Sequence, residues 1–219
     1  MGAESVTVCF TGNPNCGKTT LFNAYTGAGK KTANWPGVTV ALSEGSLMHR
    51  GRLVHLVDTP GIYSLDPYTM EETVTRQCIR DQKADVIIHV ADALLLERSL
   101  FLTMQLLAEG RPMVLALNMM DLVRERGMDI DTEGLSRLLG GIPVIPVSAR
   151  RRTGLEELMD VAVEAARARR MGRQQLFCIG SPLFCIQKPF CAQRWACIWR
   201  WPFWIRRLLA WPGVCQGTP

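Results

Sequence analysis

The stretch Gly12-Asn13-Pro14-Asn15-Cys16-Gly17-Lys18-Thr19 decides the fold. It has the form G-x-x-x-x-G-K-[ST], follows a β-branched run at Val6–Thr11 that reads as a strand, and opens Lys18–Thr26, which reads as a helix. Glycines at such a turn let the backbone wrap closely round phosphates, with successive N–H groups pointing inward as an anion nest. The positive end of the helix adds to that field. Lys18 supplies a point charge for β- and γ-phosphates, and Thr19 a hydroxyl for Mg²⁺. The loop from Gly12 through Asn13, Pro14, Asn15, Cys16, Gly17, Lys18 and Thr19 to Thr20 is therefore assigned to the phosphates of a nucleotide.

Outward from this loop, strand-like and helix-like stretches alternate. Thr39–Leu47 and Arg52–Val57 read as strands joined by a hairpin around Arg50-Gly51; further strands are expected at Val86–Ala91, Met113–Leu117 and Val144–Val147. Helical patterns lie at Met70–Gln82, Glu97–Glu109, Thr132–Leu139 and Leu155–Arg169. Strands separated by helices imply an α/β domain with a mostly parallel sheet covered on both faces. The expected sheet has six strands, and the 39–57 hairpin makes one of them antiparallel.

Three further motifs close strands. Asp58-Thr59-Pro60-Gly61 follows the strand ending at Val57. An Asp there can hold Mg²⁺ through water, and Gly61 offers a backbone N–H that can reach a γ-phosphate and let go after hydrolysis. Taken alone, Pro-Gly is ordinary turn chemistry. Asn118-Met119-Met120-Asp121 selects the base: Asp121 can accept two hydrogen bonds from guanine, and adenine lacks that pair of donors. Asn118 would brace the loop, and Met119, where N-K-x-D motifs carry Lys, can lay an apolar stem over the base. Ser148-Ala149-Arg150 is short, but the Ala149 N–H is placed to meet guanine O6. All four motifs sit at the carboxyl ends of strands, where open α/β sheets bind ligands.

Composition separates two regions. The net charge is +5, but residues 172–219 hold six basic residues and no acidic one, leaving residues 1–171 with 19 basic against 20 acidic side chains. The basic excess thus gives no reason to expect nucleic acid as a partner of the first region. Cys9, Cys16 and Cys78 are scattered, with no signal peptide ahead of them, which fits a reduced, cytosolic compartment. No uninterrupted apolar run of about 20 residues is present, so the chain as given is not expected to span a membrane. The expected domain is 1–170. Residues 171–219 form an atypical tail with five of the six Trp and five of the eight Cys. That tail reads as a truncated or non-native end, or as an interfacial anchor.

Together the motifs resemble a Ras-like P-loop GTPase of the TrmE–Era type, and more narrowly the N-terminal G domain of the bacterial ferrous iron transport protein B family. The discriminating stretches are N-W-P-G-V-T-V at 34–40, and D-T-P-G-I-Y-S-L at 58–65 with P-Y-T-M-E-E at 67–72. The resemblance implies that Thr39 binds Mg²⁺ beside Thr19 and Asp58, with Gly37 and Val38 leading into it. It implies that Asn15 helps hold K⁺ against the phosphates, and that Asn15, Lys18, Thr39 and Gly61 serve catalysis. Ile62 stands where Ras-type proteins place a water-orienting Gln, which implies slow hydrolysis. The GTP site then comprises residues 12–20 and 37–39, Asp58, Thr59, Pro60 and Gly61, with Asn118, Met119, Asp121, Ser148, Ala149 and Arg150 round the base. The implied partners are GTP or GDP and a membrane transport domain in the complete family protein, on the cytoplasmic side of the inner membrane, with oligomers through the family context. The rival readings are a ribosome- or RNA-linked Era-type GTPase, and a nucleotide-binding module without significant turnover.

Overall fold

The computed structural model describes residues 5–27, 31–34, 41–66, 68–80 and 84–170. Its strands are β1 (Val6–Gly12), β2 (Lys31–Asn34), β3 (Ala41–His49), β4 (Arg52–Asp58), β5 (Val86–Asp92), β6 (Met113–Asn118) and β7 (Val144–Pro146). Its helices are α1 (Lys18–Thr26), α2 (Met70–Arg80), α3 (Leu96–Ala108), α4 (Met120–Glu125), α5 (Thr132–Leu138) and α6 (Leu155–Arg170), with a 3₁₀ turn at Ala93–Leu95.

One sheet forms, in the order β2-β3-β4-β1-β5-β6-β7. The six expected strands are all present, and β3 runs against the rest, antiparallel to both β2 and β4. Strand β2 extends the edge as a seventh; its sequence Lys-Thr-Ala-Asn carries no apolar alternation that could have announced it. The hairpin joining β3 to β4 turns at Arg50 (φ 46°) and Gly51 (φ 75°), the paired positive φ values of a type I′ turn. Asp160 of α6 fastens the hairpin tip by accepting from His49 Nε2 (2.7 Å) and from Arg50.

The central strands are apolar on both faces, as buried parallel strands must be. Val6, Val8 and Phe10 of β1 pack with Ile88, Val90 and Ala116 under α1 and α6, where Phe22 meets Phe10 edge to face at 6.0 Å. On the opposite face Ile87 and Met113 pack with Ile79 of α2 and with Leu102 and Leu106 of α3. His89 of β5 is buried on the same strand, and desolvation pushes its pKa down to about 4, so it packs as a neutral ring at pH 7.

Local signals fix the helix ends. The Thr69 hydroxyl accepts from Glu72 N (3.2 Å) while the Glu72 carboxylate accepts from Thr69 N (2.9 Å), a capping box that starts α2 just after the Asp58–Gly61 turn. Asp131 caps α5 through Gly134 N (2.7 Å). Helix α6 has Glu156 and Glu157 in its first turn and Arg167, Arg169 and Arg170 in its last, matching the helix dipole. Arg170 also grips Asp85 at the foot of β5 (2.5 and 3.1 Å), joining the end of α6 to the sheet. Among the described residues no helix is long and apolar enough to cross a membrane.

Candidate nucleotide site

The carboxyl ends of β1, β4, β6 and β7 converge on one edge of the sheet. After β1 the chain turns through Asn13–Gly17, with Asn15 (φ 65°) and Gly17 (φ 84°) both in the left-handed region. Such alternation points consecutive N–H groups to one side. A side chain at Gly17 would be strained at that φ and would collide with the Asn118 amide, so glycine is required there. Asn15 tolerates its conformation as few other residues do. Helix α1 then starts without a side-chain cap and with no acidic residue in its first turn, leaving its N–H groups and positive dipole end toward the loop. Burial pushes the Cys16 thiol up to about 11, so this side chain is a packed neutral group within the loop.

Lys18 is buried and forms an ion pair with Asp58, also buried; its ammonium further donates to the Thr59 carbonyl. Thr19 Oγ1 donates to the other Asp58 oxygen at 3.0 Å. The Asp58–Gly61 turn is held against the loop by Thr59 Oγ1 donating to the Phe10 carbonyl (2.9 Å) and by Ile62 N donating to the Gly12 carbonyl (3.1 Å). A Cβ on Gly61 would lie 3.0 Å from Pro14 Cα, so only glycine brings this backbone so near the phosphate loop. Ile62 points away, buried in the core with Leu65, Ile79 and Leu102. It is a packing residue, unable to orient water. Thr20 is exposed on the first turn of α1, and Asn13 reaches the Arg98 carbonyl at the start of α3 (3.2 Å). The Arg98 guanidinium lies 4.2 Å over the Tyr63 ring, tying the segment after Gly61 to the same helix.

On the base side, Asn118 Nδ2 donates to the Cys16 carbonyl (2.9 Å), and Asn118 Oδ1 accepts from Ala149 N (3.0 Å). One amide thus joins the phosphate loop, the end of β6 and the loop after β7. The Ala149 N–H assigned to guanine O6 is already donating to Asn118, so a base must share or displace that bond. Met119 stands at φ 67°, a left-handed position at the start of α4, and Asp121 is buried in the first turn of that helix. Ser148 bridges to Thr153, and Arg150 is exposed at the tip of the loop between them. Gly37, Val38 and Thr39 lie outside the described residues, so the expected third Mg²⁺ ligand has no described position.

Two features went unread in the sequence. Arg151 reaches across to Asp121 and Glu125, and Arg98 holds Tyr63. Arg150-Arg151-Arg152 is visible as a run of charge, but which Arg faces the site depends on how the loop closes.

Residues 6–162 match the family model described as ferrous iron transport protein B. The chain belongs to that family. It is 48% identical over 151 residues to the Fe(2+) transporter FeoB of Legionella pneumophila (strain Paris), covering 67% of this chain and 20% of that protein. The chain therefore spans about a fifth of the length of the curated relatives it matches. Among solved structures, it is similar to the cytosolic domain of L. pneumophila FeoB, with a TM-score of 0.69 and 44% identity over 73% of this chain and 63% of that one. It is also similar to a mutant S. thermophilus NFeoB bound to GDP, with a TM-score of 0.70 and 41% identity over 73% of this chain and 62% of that one. The likeness falls on the G domain of the family, and it carries the Ras-like fold with it.

Proposed function

We propose that the chain binds GTP with Mg²⁺ and hydrolyses it slowly to GDP and phosphate, as the regulatory G domain of a ferrous iron transporter. The observation that carries this reading is the convergence on one sheet edge of two sets of groups. One is an anion-binding loop with Lys18, Thr19 and Asp58; the other is a buried carboxylate, Asp121, held near it through Asn118. The GDP bound to the similar NFeoB, and the iron transport named for the longer relatives, support the assignment. On this reading the partner is a membrane transport domain, and the G domain lies on its cytoplasmic side.

Thr19 and Asp58 fit Mg²⁺ by their chemistry: a hydroxyl and a carboxylate, already 3.0 Å apart, are hard oxygen donors that leave room for water and phosphate oxygens. Mg²⁺ held there would neutralise charge developing on the transferred phosphoryl group. Lys18 swings its ammonium from Asp58 to the phosphates, and the Gly61 N–H orients the γ-phosphate. Asn15, at the outer turn of the loop, offers a neutral amide oxygen suited to K⁺ beside the phosphates. The buried position of Ile62 favours slow turnover, and it also keeps alive a module that binds nucleotide with little turnover.

The test is single-turnover hydrolysis with Mg²⁺, run in K⁺ and in Na⁺. The expected rate is higher in K⁺, and Asn15→Gly removes most of that difference while nucleotide affinity stays largely intact. Glycine is the substitution of choice because alanine at φ 65° would strain the loop by about 1–2 kcal/mol. Equal rates in both salts would refute the K⁺ role, and no turnover in either would leave binding alone.

A further inference from the structure

The loop between β7 and α6 is short and closed on itself. Ser148 N donates to the Thr153 carbonyl (3.1 Å) and Thr153 N to the Ser148 carbonyl (3.2 Å), while Ser148 Oγ accepts from Arg151 N (3.1 Å). These bonds fix the direction in which Arg151 leaves the backbone. Its guanidinium lies across α4, with Nε 3.7 Å from Asp121 Oδ2 and Nη2 bonded to Glu125 Oε1. Asp121 and Glu125 are four residues apart and so share one face of α4. They differ in setting: the Asp121 side chain is 5% exposed and that of Glu125 50%, while Arg151 is 58% exposed. The neighbouring Arg150 and Arg152 are exposed, with no ion pair to α4 among the described contacts.

A guanidinium and the N1–H/N2–H₂ edge of guanine offer the same thing to a carboxylate, side-by-side N–H donors in one plane. Arg151 is therefore a tethered imitation of the base edge, placed at the carboxylate that selects the base. We propose that Arg151 competes with guanine for Asp121, and that Glu125 draws Arg151 aside when the base is held. This rests on the guanine-nucleotide reading above and adds to it a pair of residues that set how fast nucleotide leaves. The pair is exposed and the Arg151–Asp121 approach is long, so the competition is modest, about two- to fivefold in affinity. It weakens further at high ionic strength.

The experiment measures affinity and release of a fluorescent GDP analogue from the full chain, its R151A and E125A variants and the double variant, with the matching ADP analogue as control. R151A is expected to bind about two- to fivefold more tightly, mainly through slower release. E125A is expected to bind more weakly, because Asp121 is then the one ion-pair partner of Arg151 left among the described residues. The double variant is expected to match R151A, since Glu125 acts only through Arg151. Simple charge attraction to the phosphates predicts the opposite sign for both single variants, so weaker binding in R151A overturns the proposal. So does an E125A effect that persists undiminished in the R151A background. If the unmutated chain holds the GDP and ADP analogues equally, the guanine reading itself fails; if it prefers GDP and R151A changes nothing, only the competition fails.

Discussion

Replacing Asp121 by Asn lowers affinity for GTP by about 10⁴-fold or more and raises affinity for xanthosine triphosphate. The size follows from burial. Asp121 sits in the first turn of α4 with its carboxylate withdrawn from water, and among the described residues Arg151 is its ion-pair partner, so a bound base would supply the donors its oxygens need. With guanine bound, an Asn amide would set an N–H against the exocyclic amine of the base, leaving two donors face to face in a buried site. Xanthine carries a carbonyl at that position and accepts from the new amide. Calorimetry with both nucleotides measures the exchange. Unchanged GTP affinity in Asp121→Asn would remove Asp121 from the base site.

The second large effect is expected at Lys18, in stability as well as in binding. Lys18→Met keeps the aliphatic stem but removes the ammonium that pairs with Asp58 and caps the Thr59 carbonyl. Both members of the pair are buried, at 7% and 6% exposure, so the remaining carboxylate is left with the Thr19 hydroxyl as its described side-chain partner. Breaking a buried pair in this way costs about 3–5 kcal/mol. For a domain of this size that corresponds to a melting temperature lower by roughly 6–20 °C. Nucleotide affinity falls in parallel, because among the described residues no other Lys or Arg is buried at the loop. Thermal melts of the two proteins, each with and without Mg²⁺ and GTP, separate the effects. A variant that melts at the unmutated temperature would show that the Lys18–Asp58 pair carries no stability.

Much of this architecture was legible because several levels of the sequence agree. The β-branched run of β1, the glycines after it and the helix starting at Lys18 describe one strand–turn–helix unit, and the observed α1 has the expected bounds of Lys18–Thr26. The hairpin at Arg50-Gly51 was readable from its turn residues, and β5 and β6 from largely apolar runs bounded by polar, Pro or Gly residues. What escaped was short or relational. Strand β2 has four residues and helix α4 six, too few for a period to show. The capping box Thr69–Glu72 was present in the sequence as T-x-x-E but was not needed to place α2.

Within the site, residue types were readable and pairings were not. The phosphate-loop motif points to the glycines for conformational freedom, yet at the outer turn Asn15 adopts the left-handed backbone. Ile62 could be named as a residue that cannot orient water, but only packing shows that its side chain belongs to the core beneath α2 and α3. Arg151 is one of three consecutive arginines, and its aim at Asp121 emerges only when Ser148 and Thr153 close the loop. Motifs specify chemistry locally; competition between two residues far apart in sequence is a property of the fold.

The central claim is that this site holds a guanine nucleotide, and calorimetric titration of the unmutated chain with GTP and with ATP, both with Mg²⁺, tests it most directly. GTP is expected to bind at least about a hundredfold more tightly, since adenine leaves the buried Asp121 carboxylate without its pair of donors. Equal affinities for the two nucleotides would contradict the account.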